Sequence, residues 1–119
     1  VTESPDAIGF NGGISTLIEC KCSRADFFQD SKKFFRQESK FGMGNIRYYM
    51  TPPQLIKPSE LPTMWGLLEV YEAQVRIKHE AEFFDAEIVN KQGEVAFLTS
   101  VIRRLEISTA VFVVRHDET

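Results

Sequence analysis

The residues with the clearest chemical potential lie near the start of the chain. They are Pro5-Asp6, then twelve intervening residues, then Glu19-Cys20-Lys21. Between them, Asn11-Gly12-Gly13 is a strong turn signal flanked by apolar, β-branched runs, and together these read as a β-hairpin. With that tripeptide as the turn, strand partners sum to about 24 or 25, which places Asp6 opposite Ile18 or Glu19. Two carboxylates then converge at the open end of the hairpin, with Lys21 just beyond. Carboxylates a few ångströms apart repel unless a cation or a proton lies between them. Oxygen ligands of this type suit Mg²⁺ or Mn²⁺, and Asp6, Glu19 and the backbone carbonyl of Cys20 form the candidate metal set. Such an ion polarises a phosphodiester and lowers the pKa of bound water, while a neighbouring Lys steadies the nucleophile and offsets phosphate charge. A bare Glu-x-Lys is expected about 0.5 times by chance in a chain this long. The spacing alone therefore also suits a solvated strand face.

These residues need elements to hold them. Asp6–Phe10 and Ile14–Cys22 form the two hairpin strands. In the second strand, Ile14, Thr16, Ile18, Cys20 and Cys22 alternate with Ser15, Leu17, Glu19 and Lys21, and the more apolar first set reads as the core face. Ser23 is a good N-cap, and Asp26 three residues later completes a capping-box pattern. The helix it starts is expected to run to about Arg36, with Phe27, Phe28, Phe34 and Phe35 as one apolar stripe of core residues. Strands follow over Asn45–Met50, Trp65–Tyr71 and Val75–His79, with a connecting segment at 54–63 that suits one short helical turn. Residues 80–93 are acidic and irregular, with a break expected at Gly93. Val95, Leu98, Val101, Ile102 and Leu105 then repeat at helical spacing and should bury one face on the sheet. Ala110–Val114 suits either an extension of that helix or a late strand. The order hairpin, helix, three strands, helix gives an α/β architecture with a mixed sheet flanked by helices.

The chain has 119 residues, enough for one domain over 1–119, and its 43% apolar content excludes a fully disordered chain. No apolar run is long enough for a membrane span, so a membrane partner is not expected. Net charge is −3, but seven basic residues face three acidic ones over 21–47, while four face eight over 57–94. That asymmetry suits a basic and an acidic face, or two ordinary solvated surfaces. Arg24, Lys32, Lys33, Arg36, Lys40 and Arg47 are candidates to follow a phosphate backbone. Tyr48, Tyr49 and Trp65 are candidates for stacking on bases, or for the core. Cys20 and Cys22 fit reduced thiols of a cytoplasmic protein, and neither His79 nor His116 has metal-site spacing.

The Pro5-Asp6 … Glu19-Cys20-Lys21 arrangement resembles the PD-(D/E)xK nuclease superfamily. Its continuation, IECKCSRADFFQDSKKFF over Ile18–Phe35, resembles the MmcB-like group of bacterial and phage proteins linked to DNA repair. That group shows a strand ending in Glu-x-Lys, then a Ser, an Asp-Phe pair and an Asp-x-Lys-like helix. IRYYMTPP (Ile46–Pro53) and WGLLEV (Trp65–Val70) are similar to its remaining strands, so the resemblance covers roughly residues 5–71. It implies a restriction-endonuclease-like fold, with Asp6 and Glu19 binding Mg²⁺ or Mn²⁺ and Lys21 orienting the nucleophile. Ser23 would cap the helix, while Asp26, Asp30, Lys32 and Lys33 would position the site or meet phosphate. Members of the superfamily usually carry a helix before the Asp strand, often with another acidic residue. This chain begins four residues before Pro5, so that helix is expected to be missing.

The leading expectation is a metal-dependent nuclease domain acting on DNA, possible as a homodimer because many members of the superfamily pair to cut two strands. The alternative is a non-catalytic DNA-binding or assembly module that keeps the nuclease fold. A plain interaction domain with an apolar edge strand is the third.

Overall fold

Five strands build one mixed sheet in the computed structural model, which describes residues 3–105. β1 (Ala7–Asn11) and β2 (Ile14–Cys20) form the hairpin. Gly12 sits at φ +63°, a left-handed conformation that glycine adopts without strain. The register pairs Ala7 with Ile18 and Asn11 with Ile14, so partners sum to 25. β3 (Ile46–Thr51) and β4 (Gly66–Tyr71) join in parallel, and β5 (Gln74–His79) adds antiparallel at the far edge. The spatial order is β1-β2-β3-β4-β5. This is the α/β class with a mixed sheet and flanking helices that the order of elements implies.

The core face of β2 is the reverse of the one its hydrophobicity suggests. Ser15, Leu17 and Glu19 are buried, whereas Ile14 is 46% exposed and Thr16 and Ile18 are half-buried. The pairing carries this face across the sheet through Arg47, Tyr49 and Thr51 of β3 to Leu67 and Glu69 of β4. Leu17, Tyr49 and Leu67 meet Phe27, Met43, Ile56, Trp65, Phe84 and Val89 in a single apolar core. The polar members of the face are buried because they are satisfied. Ser15 bonds Asn45 and Glu94, and Glu19 pairs with Arg36.

α1 spans Arg24–Ser31, with the Ser23 hydroxyl accepting from the Asp26 N–H at 3.1 Å as its N-cap. The expected single helix to Arg36 is broken. Lys33 is extended (φ −63°, ψ 147°), and a short α2 (Phe34–Gln37) follows. The reason is electrostatic. Residues six apart on one helix lie about 120° apart around its axis, so Asp30 and Arg36 could not meet on a straight one. The break swings the Arg36 Nε to 2.9 Å from Asp30 Oδ2. It also splits the phenylalanine stripe, because Phe27 and Phe35 are buried while Phe34 is turned to solvent.

α3 (Lys91–Arg104) starts two residues before Gly93, whose N–H donates to the Asn90 N-cap side chain at 2.8 Å. It does not bury an apolar face on the sheet as its periodicity implies. Its fully buried residue is Glu94, Phe97 is packed only in part against the core, and Val95, Leu98 and Leu105 are exposed. Polar bonds hold its first turn. Glu94 accepts from Ser15 Oγ and from the Gly44 N–H, each at 2.7 Å. Lys91 reaches the Gly13 carbonyl at 3.0 Å. Residues 110–114 and His116 lie outside the described residues. Among the described residues, no helix is long and apolar enough to cross a membrane.

Candidate active site

Asp6 sits one step before β1, and the hairpin register places it opposite Glu19. The Asp6 Oδ2 accepts the Cys20 N–H at 2.9 Å, which fixes its carboxylate against the end of β2. Glu19 points inward from the core face and is 4% exposed. Burial pushes its pKa up to about 7; the Arg36 charge opposes the rise, and the negative charge of Asp6 adds to it. Lys21 follows β2 directly, its N–H bonded to the Met50 carbonyl at 3.0 Å and its Nζ 3.8 Å from Asp30 Oδ1. A cleft of about 470 Å³ opens here, lined by Cys20, Lys21, Cys22, Asp26, Asp30 and Lys33 among others. The strand pairing, the turn after β2 and α1 thus bring Asp6, Glu19 and Lys21 to one end of the sheet.

Beneath them lies a buried ion cluster centred on Arg36. Its side chain is 1% exposed and each nitrogen meets a different carboxylate. Nε bonds Asp30 at 2.9 Å, Nη2 lies 3.1 Å from Glu19, and Nη1 bonds Glu3. The guanidinium is sandwiched between the rings of Phe35 and Trp65, 4.7 and 4.8 Å away. Burial works against its charge, but Glu3 and Asp30 outweigh that and hold its pKa above the ordinary value. Asp30 also takes a hydrogen bond from the Tyr49 hydroxyl, and Lys33 stands 3.2 Å from its Oδ1. Burial alone would raise the Asp30 pKa, but the Tyr49 and Arg36 donors bring it below the usual carboxylate range.

Two of the expected phosphate contacts are corrected by this arrangement. Arg36 is buried at the centre of the cluster. Arg47 is 0% exposed, bonded to the carbonyls of Gly44, Gly42 and Ser39 and stacked 4.0 Å over Phe84. Burial lowers the Arg47 pKa to about 10. Neither residue can reach a nucleic acid from inside the core. Arg24 is half-exposed but clamped by Glu60, its two terminal nitrogens 3.1 and 2.7 Å from the carboxylate oxygens. That bidentate bond holds Glu60 down at about 2. Lys32, Lys33 and Lys40 are exposed. Tyr49 and Trp65 are core residues, stacked on each other at 4.6 Å, and Tyr48 is buried too.

Glu3, Tyr49 and Trp65 are partners of this cluster that local sequence patterns do not single out. An acidic residue just upstream of Pro-Asp was the one signal for Glu3. Nothing in local periodicity foretells that α2 would turn an arginine inward.

The donor set has a definite character. Among the described residues, no group of three His, Cys, Asp or Glu side chains could hold a metal ion. Two carboxylates and the Cys20 backbone are too few for a closed structural zinc site. They do fit a hard ion that keeps several waters and uses only one or two carboxylates, as Mg²⁺ and Mn²⁺ do.

No protein-family model matches the chain, and no curated protein does. Among solved structures, the chain is similar to a protein of unknown function from Silicibacter pomeroyi. The two are 25% identical, with a TM-score of 0.58 over 86% of this chain and 68% of that chain.

Proposed function

We propose that this chain is a metal-dependent nuclease-like domain that hydrolyses DNA phosphodiesters, in DNA repair or phage DNA processing within the cytoplasm. The observation that carries the reading is the register that sets Asp6 opposite Glu19, with Lys21 emerging beside them into an open cleft. The resemblance of Pro5-Asp6 … Glu19-Cys20-Lys21 to the PD-(D/E)xK superfamily, and of Ile18–Phe35 to its MmcB-like group, supports it. Asp6, Glu19 and the Cys20 carbonyl would hold Mg²⁺ or Mn²⁺. When bound, the ion would lower the pKa of its water and polarise the phosphodiester. Lys21 orients the attacking water and offsets the charge that develops on phosphate. Water adds to phosphorus and the bridging P–O bond breaks, which leaves a phosphate monoester and a hydroxyl. Arg36 keeps the Glu19 carboxylate in place from below, and Lys33 offers a cation at the cleft wall. Cleavage of labelled DNA with Mg²⁺ or Mn²⁺ tests this. Wild type should cut, and Glu19→Ala and Lys21→Ala should each lose about 10²-fold or more, the usual scale for a lost acid–base or electrostatic group. Equal cutting by all three proteins would end the reading.

A second reading is a non-catalytic DNA-binding module on the same fold. The observation favouring it is that Arg36 already sits on Glu19 as a built-in cation. It predicts DNA binding that needs no divalent ion.

A further inference from the structure

Unlike the buried Phe27, Phe35 and Phe84, Phe34 and Phe41 lie at the surface, as do Phe10 and Phe83. Phe34 is 63% and Phe41 44% exposed, yet their rings pack on each other, centroids 4.8 Å apart and 36° from parallel. Single exposed apolar residues are common, but a paired aromatic surface is a costly thing to leave in water without a use. The surroundings are basic. Lys40 Nζ lies 5.4 Å from the centre of the Phe41 ring, and Lys32 and Lys33 occupy the turn that leads into α2. Glu38 is the acidic residue between Lys32 and Lys40 in the sequence; Lys33 is paired with Asp30 at 3.2 Å, while Lys32 and Lys40 are exposed. Lys33 also lines the cleft that Lys21 enters, so one of these lysines lies between α2 and the candidate site.

We propose that Phe34 and Phe41 form a stacking platform for the unpaired bases of single-stranded nucleic acid. Lys32, Lys33 and Lys40 hold the strand's phosphates and lead it towards the cleft. This rests on the nuclease reading and narrows its substrate class. Aromatic faces set among lysines recognise single strands through base stacking and phosphate charge, with little regard to sequence. In a duplex the base faces are covered, so the rings have nothing to meet.

Fluorescence anisotropy in EDTA tests the proposal without cleavage. The probes are fluorescein-labelled oligo(dT), oligo(rU) and a DNA duplex of equal length. Wild type should bind the single strands more tightly than the duplex. Phe34→Ala and Phe41→Ala should each weaken single-strand binding about tenfold while leaving duplex binding unchanged. Phe34→Trp and Phe41→Trp should retain it, which separates stacking from packing. The proposal is overturned if the Ala variants bind like wild type, if the Trp variants lose as much as the Ala variants, or if wild type prefers duplex or binds no nucleic acid at low salt. If the rings bind single strands as described but no DNA is ever cut, only the hydrolytic reading fails.

Discussion

At the scale of residues, Arg36 does the most. One buried guanidinium answers three carboxylates, and removing one partner of a buried ion pair costs about 3–5 kcal/mol. Total stability of a small domain is about 5–15 kcal/mol. Arg36→Met should therefore lose at least about 3 kcal/mol in urea unfolding at neutral pH, and much less near pH 4, where the carboxylates can take up protons. Equal stability at pH 7 would show that the cluster is not held by this charge. Glu19 gives a pH dependence of opposite sign to that of an ordinary paired carboxylate. Its pKa is raised by burial to about 7 in the folded protein, so the native state holds a proton there that the unfolded chain releases at lower pH. Its contribution is fully present below the ordinary value of 4.5 and is lost as pH rises towards 7. Glu19→Gln in EDTA should remove that decline, worth up to about 3 kcal/mol across the interval. A wild type whose stability, relative to Glu19→Gln, stays flat over the same range would contradict the assignment.

At the scale of elements, the hairpin and the succession of strands along the chain were legible because they rest on local signals. Asn11-Gly12-Gly13 fixes the turn, and alternation marks β3 and β5. The facing of β2 was not legible. Ser15 and Glu19 look like solvent residues until their partners are known, and those partners lie up to 79 residues away, as with Glu94. The split between α1 and α2 was hidden for the same reason, since Arg36 is drawn inward by Glu3 and Glu19, which lie 33 and 17 residues away, as well as by Asp30. α3 shows the limit of periodicity most plainly. Its apolar residues repeat as on an amphipathic helix, but it is docked by Glu94, Lys91 and Asn90 rather than by Val95 or Leu98. Glu94→Ala leaves the buried Gly44 N–H without its acceptor, a loss of about 1–3 kcal/mol. Hydrogen exchange should then show α3 amides deprotected well before those of β2 and β3. Uniform loss across helix and sheet would mean that the helix is instead part of one cooperative core.

At the scale of the whole molecule, the sheet divides the work. One face is closed by α1, α2 and an aromatic core, and the end of that face gathers charged groups that water can reach at the cleft. The meeting of Asp6, Glu19 and Lys21 at one end of the sheet was legible because the hairpin turn sets the register that brings them there. The buried state of Arg36 and Arg47 was not, because a basic residue near a candidate site reads the same whether it faces phosphate or the core. The account stands on the pair of carboxylates at the hairpin's open end accepting a divalent ion. Calorimetric titration of Mn²⁺ into the protein measures this directly. Wild type should take up Mn²⁺ with a stoichiometry near one, Asp6→Asn and Glu19→Gln should each abolish the heat of binding, and Lys21→Ala should keep it. No uptake by wild type, or the same uptake by both carboxylate variants, would contradict it.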